Sequence, residues 1–318
     1  MRMPAAAAAR SATRAALFAA ALLVALLAGD GAFAQQAAGP LLRPEGLRKV
    51  SAHVSIIPDN SVPLVPNIGF VVGDKSVLVI DTGLGPRNGA MVAEVAQKLA
   101  GKRGLYLVVT HFHPEHDLGA QAFPAGTMMI RSADQQKDIA EFGLQLAQAF
   151  ASRSSLNAEL LQGADYRRAN ISFGDQTLLD LGGVQVRIIS MGPNHTRGDT
   201  AIWVEGDRVL FTGDIAMRAQ PAFASPYSSL NHWLASLDRL GALKPTLIVP
   251  SHGATGGAEL IDGYRAYLGE VRERTQAEKH AGRTAEEAAE AVTAAMALKY
   301  PDRGRLAGAV RSAYAEAR

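Results

Sequence analysis

The sequence predicts an α/β sandwich, two mixed β-sheets packed face to face with helices outside. Three observations predict it. Short β-branched runs alternate with amphipathic helical stretches between residues 50 and 255. An order of hairpin, helix and strand occurs twice: V-G-D-K-S-V-L-V-I-D in the first half matches E-G-D-R-V-L-F-T-G-D in the second, and V-V-T-H matches V-P-S-H. The last strand of each unit stops at a histidine, His111 and His252, so a weak internal duplication would bring both to equivalent ends of facing sheets.

The elements follow in order. Residues 54–57, 68–72 and 77–80 read as strands, the last two joined through Gly73-Asp74, a hairpin-like turn. Residues 86–100 read as a helix with Met91, Val92, Val95 and Leu99 on one face. Residues 105–109 are apolar, β-branched and too short for a helix, which makes them a buried strand. Pro114 and Gly119 mark a loop beyond it, with a helix starting near Asp117 or Leu118. Residues 132 to about 162 form a helical insert capped by Ser132, with Ile139, Phe142, Leu146 and Phe150 as its apolar stripe. Strands then follow at 176–181, 184–189, 201–204 and 209–211, a helix at about 229–240, and a strand at 247–249. From about 256 to 318 an Ala/Glu/Arg-rich helical extension is broken at Pro301 and Gly304.

Residues 1–34 read as a signal peptide: Arg2, Arg10 and Arg14 make a basic start, 15–28 are uncharged and apolar, and Ala32-Phe33-Ala34 offers a cleavage site before Gln35. Residues 35–49 read as a flexible lead-in, and 50–318 as a single domain. The expected location is periplasmic or secreted, with no stable membrane anchoring once the leader is removed. The chain holds 32 basic and 30 acidic residues; without the leader's three arginines and Asp30 it holds 29 of each. A near-neutral surface argues against nucleic acid as a partner. The absence of cysteine excludes disulfides, a lipoprotein anchor and thiolate metal ligands.

The chemistry is concentrated in T-H-F-H-P-E-H-D, residues 110–117, where His111, His113, Glu115, His116 and Asp117 fall within seven positions. Each imidazole has two ring nitrogens that need partners if buried, and neutral imidazole is the commonest metal ligand, so the cluster reads as a metal site. Three later pieces add donors: His195 in G-P-N-H-T-R-G-D-T, Asp214 at the end of F-T-G-D, and His252 in P-S-H-G. A carboxylate with two oxygens can bridge two cations.

The four motifs together resemble the metallo-β-lactamase superfamily, whose H-x-H-x-D-H signature appears here as H-x-H-x-E-H, with Glu115 in the aspartate position. The resemblance covers about residues 50–255 and implies the αβ/βα sandwich of that family. It implies one metal position held by His111, His113 and His195, a second held by Glu115, His116 and His252, and Asp214 bridging them. Glu115 and Asp214 would also serve catalysis, and Asp81 would support the site from behind. Asp117 and Asp199 are candidates for supporting or capping roles. His53, His232 and His280 match nothing and read as surface or packing residues. An oxygen and nitrogen donor set suits zinc, two ions per chain or one. Two ions about 3.5–4 Å apart would share a water and lower its pKa toward about 7. Glutamate reaches about 1.5 Å further than aspartate, which puts the second metal position in question.

The expected function is that of an exported zinc-dependent hydrolase. A metal-bound hydroxide would cleave an ester, lactone, amide (a β-lactam among them), sulfate ester or phosphate ester in a small-molecule substrate. Arg197 and Arg218, close in sequence to ligands, could bind an anionic group. The alternative is a non-catalytic metal-binding accessory protein of a periplasmic, quinoprotein-type redox system.

Overall fold

In the computed structural model, which describes residues 39–217, 224–225 and 227–317, twelve strands form two sheets. Strands β1 (Arg48–Lys49), β2 (Val54–Ile57), β3 (Ile68–Val72), β4 (Ser76–Ile80), β5 (Gly104–Val108), β6 (Met128–Ser132) and β7 (Ile171–Phe173) lie side by side in that order. The first four are antiparallel, and β4 to β7 run parallel. Strands β8 (Gln176–Asp180), β9 (Gln185–Ser190), β10 (Thr200–Val204), β11 (Val209–Gly213) and β12 (Leu247–Pro250) make the second sheet, antiparallel except for the β11/β12 pair. The repeat read in the sequence is visible in the pairing. β3–β4–β5 and β10–β11–β12 each place an antiparallel and then a parallel neighbour around a strand that stops just before Asp81 or Asp214.

The two sheets meet through alternate residues of each strand, as a period of two requires. Ile56, Val71, Leu78, Ile80 and Val108 of one sheet face Val186, Ile188, Ile202, Val204 and Phe211 of the other. Each fully buried aliphatic side chain of this kind contributes about 1.5–3 kcal/mol. S-V-L-V-I of β4 is buried throughout because a helix covers its other face. That helix is α1 (Gly85–Ala100), whose Val92, Ala93 and Ala96 pack on Phe70, Val79 and Leu107. It sits tightly on the loop after the histidine cluster: a Cβ at Gly89 would lie 1.9 Å from the carbonyl oxygen of Gly119.

A one-turn helix α2 (Pro114–Asp117) follows β5. The insert after β6 comprises α3 (Ala133–Asp138), a π-helical turn (Ile139–Gly143), α4 (Leu144–Ala151) and α5 (Ser155–Leu160). Its Leu146, Phe150 and Leu160 pack on Leu84, Phe112 and Leu118, residues that flank the cluster. The outer face of the second sheet, with Trp203, Leu210 and Ile248, is covered by α6 (Leu230–Ala242), α7 (Glu259–His280), α8 (Ala285–Met296) and α9 (Arg303–Glu316). Among the described residues no helix is long and apolar enough to cross a membrane.

Several expectations are corrected. The helix expected to start at Asp117 or Leu118 instead ends at Asp117, because Pro114 is its first residue and fixes the helical φ there. The insert is broken rather than continuous. β6 and β7 were not foreseen: one carries Arg131 in its middle and the other has three residues. The C-terminal extension is three helices. Gly282, at φ 79°, follows the end of α7, and Thr284 with Glu287 forms a capping box that starts α8. Gly304 breaks nothing; it lies in the first turn of α9, which Asp302 caps. Of the lead-in expected to be flexible, residues 39–49 are docked. Leu42 is buried and its N–H donates to Asn88 Oδ1 at 2.9 Å, Asn88 Nδ2 donates to Pro40 O at 2.8 Å, and β1 pairs with β2. The signal peptide reading of 1–34 lies outside the described residues.

The ends of the sheets press together at Gly213. Its φ is +57°, β11 bulges there, and a Cβ would lie 2.9 Å from Thr110 Cβ. Gly213→Ala is expected to lose about 1–3 kcal/mol, the usual cost of a left-handed residue other than glycine. Denaturant unfolding reads this directly; a midpoint equal to wild type would show that the contact relaxes freely.

Candidate metal centre

Each donor is fixed by a neighbour on its far side. Asp81, at the end of β4 with φ +65°, accepts from Thr110 N at 2.7 Å and Thr110 Oγ1 at 3.0 Å. Its Oδ2 lies 2.9 Å from His116 Nδ1. Thr82 grips the same residue from the backbone, its N and Oγ1 donating to His116 O at 2.9 and 2.8 Å. Thr110 Oγ1, donating to Asp81, accepts from His111 Nδ1 at 3.2 Å. His252 Nδ1 donates to Val65 O at 3.0 Å. All three rings therefore carry the proton on Nδ1 and turn Nε2 inward, the orientation that suits a ligand.

The inward atoms converge. His111, His113 and His195 bring ligand atoms within 4.8 Å of one another; so do His111, His116 and Asp214, and so do Glu115, His116 and His252. His195 Nε2 is 3.2 Å from His113 Nδ1 and 3.5 Å from Asp214 Oδ2. Four of these atoms, His111 Nε2, Glu115 Oε2, His116 Nε2 and Asp214 Oδ1, are buried with no hydrogen-bond partner among the described residues. Leaving one buried polar atom unsatisfied costs about 1–3 kcal/mol, so four at one point are strong grounds for a ligand. With the imidazole Nε2 atoms unprotonated the inward atoms are all acceptors, and a cation fits them.

The protonation states of His111, His113 and Asp214 agree with this, and that of His116 has to change on binding. Burial, followed by the neighbouring imidazoles, holds His111 and His113 well below the usual histidine range, leaving both neutral at pH 7. Burial also acts to lower His116. The charge and hydrogen bond of Asp81, with Glu115 and Asp214, override it and push His116 up to about 9, so a cation has to displace that proton. Burial tends to raise Asp214, but His195, His252 and His116 hold it below the carboxylate range, and it stays anionic.

The loop bearing His195 is tied by Asp199, which accepts from His195 N at 2.7 Å, Thr196 N at 3.0 Å and Thr196 Oγ1 at 2.6 Å. Burial pushes its carboxyl up to about 6 against those bonds and the charge of His195. Asp117 lies outside the donor ring, in a bidentate pair with Arg131. His53 sits on Asp207 and His232 on Met191 O, both away from the centre; His280 is at the end of α7. Arg197 is paired with carboxylates of the insert. Its Nε donates to Asp138 and its Nη2 to Glu141, each at 2.6 Å. Arg218 lies outside the described residues. Reading the sequence missed Arg131 and two buried amides. Gln135 Nε2 donates to Val109 O and Thr200 Oγ1, both at 2.9 Å, and Asn67 Nδ2 donates to Pro250 O at 2.8 Å. Amides like these carry no spacing signature; only their burial reveals them.

Residues 62–252 match the family description "Metallo-beta-lactamase superfamily". The chain belongs to the metallo-beta-lactamase superfamily. The human acyl-coenzyme A thioesterase MBLAC2 is 26% identical over 213 residues, 61% of this chain and 75% of that protein. The metallo-beta-lactamase type 2 of Bacteroides fragilis is 23% identical over 232 residues, 71% and 85% of the two chains. Among solved structures, the stereoselective inverting sec-alkylsulfatase of Pseudomonas sp. superposes with a TM-score of 0.65 at 16% identity, covering 85% of this chain and 50% of its own. The sandwich expected from the sequence is thus the fold of the family. With hydrolases as its superfamily relatives, the chain is a metal-dependent hydrolase.

Proposed function

We propose that this chain is an exported zinc hydrolase that opens a small ester-type substrate: a carboxylic ester, lactone, amide (β-lactams included), sulfate ester or phosphate ester. The observation that carries it is the ring of inward, unpartnered donor atoms on His111, His116, Glu115 and Asp214. In this reading His111, His113 and His195 would hold one zinc, Glu115, His116 and His252 would hold a second, and Asp214 would serve both. When bound, zinc supplies Lewis acidity and a water activated for attack near neutral pH. The chain does the rest. Asp81 and Val65 O fix the rings of His116 and His252, Glu115 Oε2 can accept the proton of an attacking water, and Phe112 and Phe150 exclude bulk solvent from the side of His113.

The test is a panel on zinc-loaded protein: a chromogenic cephalosporin, a lactone, a sulfate ester, a phosphodiester and a thioester. Turnover of the cephalosporin, lactone, sulfate ester or phosphodiester supports the reading; turnover of the thioester alone, or of none above buffer, contradicts it. Glu115 has its own test. Its one-turn helix sets the carboxylate among His116 and His252, so Glu115→Asp withdraws it by about 1.5 Å. The expected result is second-zinc affinity weaker by about tenfold or more, since such sites tolerate misplacement of only about 0.5 Å; unchanged titration stoichiometry would contradict it. Export predicts a mature N-terminus at Gln35, read by N-terminal sequencing of protein from the native secretion route.

A further inference from the structure

The three donors of the first metal position come from two sheets. His111 and His113 follow β5, whereas His195 lies between β9 and β10. The first helix of the insert bridges the two. Gln135 of α3, fully buried, donates from Nε2 to Val109 O on one side and to Thr200 Oγ1 on the other, both at 2.9 Å. A backbone bond from Thr200 N to Thr110 O, 2.8 Å, joins the same two ends. The His195 loop rests directly on this helix: a Cβ at Gly198 would stand 2.5 Å from Gln135 Cα and N, so only glycine allows the approach.

Asp138, the last residue of α3 and 2% exposed, closes the contact. Its Oδ2 accepts from Gly198 N at 2.9 Å and its Oδ1 from Arg197 Nε at 2.6 Å. Asp199 holds the first part of the loop, at His195 N and Thr196 N; Asp138 holds the next part, from a different element. Arg197 is fixed in turn by Glu141, and its guanidinium lies 5.1 Å from the Phe142 ring centroid. A buried carboxylate bound at both oxygens sets position and orientation together, because movement of the loop would leave an acceptor unsatisfied.

We propose that Asp138 is a positioning residue for the metal centre. Through Gly198 and Arg197 it holds the loop that keeps His195 within reach of His111 and His113. The insert is then a bracket for a ligand as well as a cover for the cluster. This rests on the metal reading of that position.

The test is zinc titration against a chromogenic chelator for wild type, Asp138→Leu, Asp138→Asn, His195→Ala and the double variant Asp138→Leu, His195→Ala. Leucine removes both acceptors, and asparagine keeps one for Gly198 N. In Asp138→Leu one zinc is expected to be held about 10–100-fold more weakly, the range seen when the partner behind a ligand is lost. Asp138→Asn recovers part of this. With His195 already replaced by alanine, Asp138→Leu should change zinc affinity by less than about twofold, since the ligand it acts through is gone. An equal drop in both backgrounds, or no drop in Asp138→Leu, would overturn the proposal. A second arm follows amide hydrogen exchange of residues 192–200 in metal-free protein. Asp138→Leu is expected to speed it about tenfold or more, and unmoved exchange would also overturn the proposal. Circular dichroism checks folding; should Asp138→Leu not fold, Asp138→Asn carries both comparisons, with one zinc weaker by about threefold or more. If wild type takes up no zinc, the metal reading fails, and the exchange arm alone decides whether Asp138 holds the loop.

Discussion

Replacing His111 and His113 together by alanine is expected to empty the metal position they share with His195 and leave hydrolysis at the buffer rate. A zinc site of about four ligands is worth roughly 10–16 kcal/mol, so two ligands account for about 5–8 kcal/mol. That is roughly four to six decades in affinity. His111 is shared by two of the three donor groups, and His113 faces His195 across 3.2 Å, so neither can be replaced by a neighbour. The fold should survive. The change removes buried imidazoles rather than core aliphatics, and the packing between the sheets does not include them. Metal content by elemental analysis, with circular dichroism as the control on folding, reads the result. Near wild-type metal in a folded double variant would mean that the cation sits elsewhere.

Arg131→Met is expected to be the most destabilising single change near the site. Arg131 is 1% exposed and Asp117 is fully buried; the two share bonds of 2.5 and 2.6 Å. Burial raises the Asp117 carboxyl and the guanidinium opposes it. Removing one member of a buried pair leaves the other charge stranded, at about 3–5 kcal/mol. Replacing both, as in Arg131→Met with Asp117→Leu, should recover much of the loss. The consequence reaches chemistry because Asp117 closes the single turn that carries Glu115 and His116. Denaturant unfolding of the single and double variants measures the coupling; a single-variant loss under about 1 kcal/mol would contradict it.

His111, Asp214 and His252 were legible in the sequence because each follows a strand end marked by a change from apolar to polar residues: Val109 to Thr110, Gly213 to Asp214, Pro250 to Ser251. The repeated strand pattern allowed them to be brought to one edge. The structure does place His195, Asp214 and His252 against the 111–116 cluster. What stayed hidden depends on tertiary partners. Arg131 sits mid-strand because Asp117 neutralises it, which no local pattern announces. Residues 39–49 look like a linker but are held by Asn88, more than forty positions away. Arg197 looked free beside a ligand, yet its Nε and Nη2 donate to Asp138 and Glu141 of the insert.

Anomalous diffraction at the zinc edge, from crystals of zinc-loaded protein, tests the central claim most directly. The predicted map has one peak among His111, His113 and His195, a second among Glu115, His116 and His252, and Asp214 between them. A map with no peak within reach of these seven residues would contradict it.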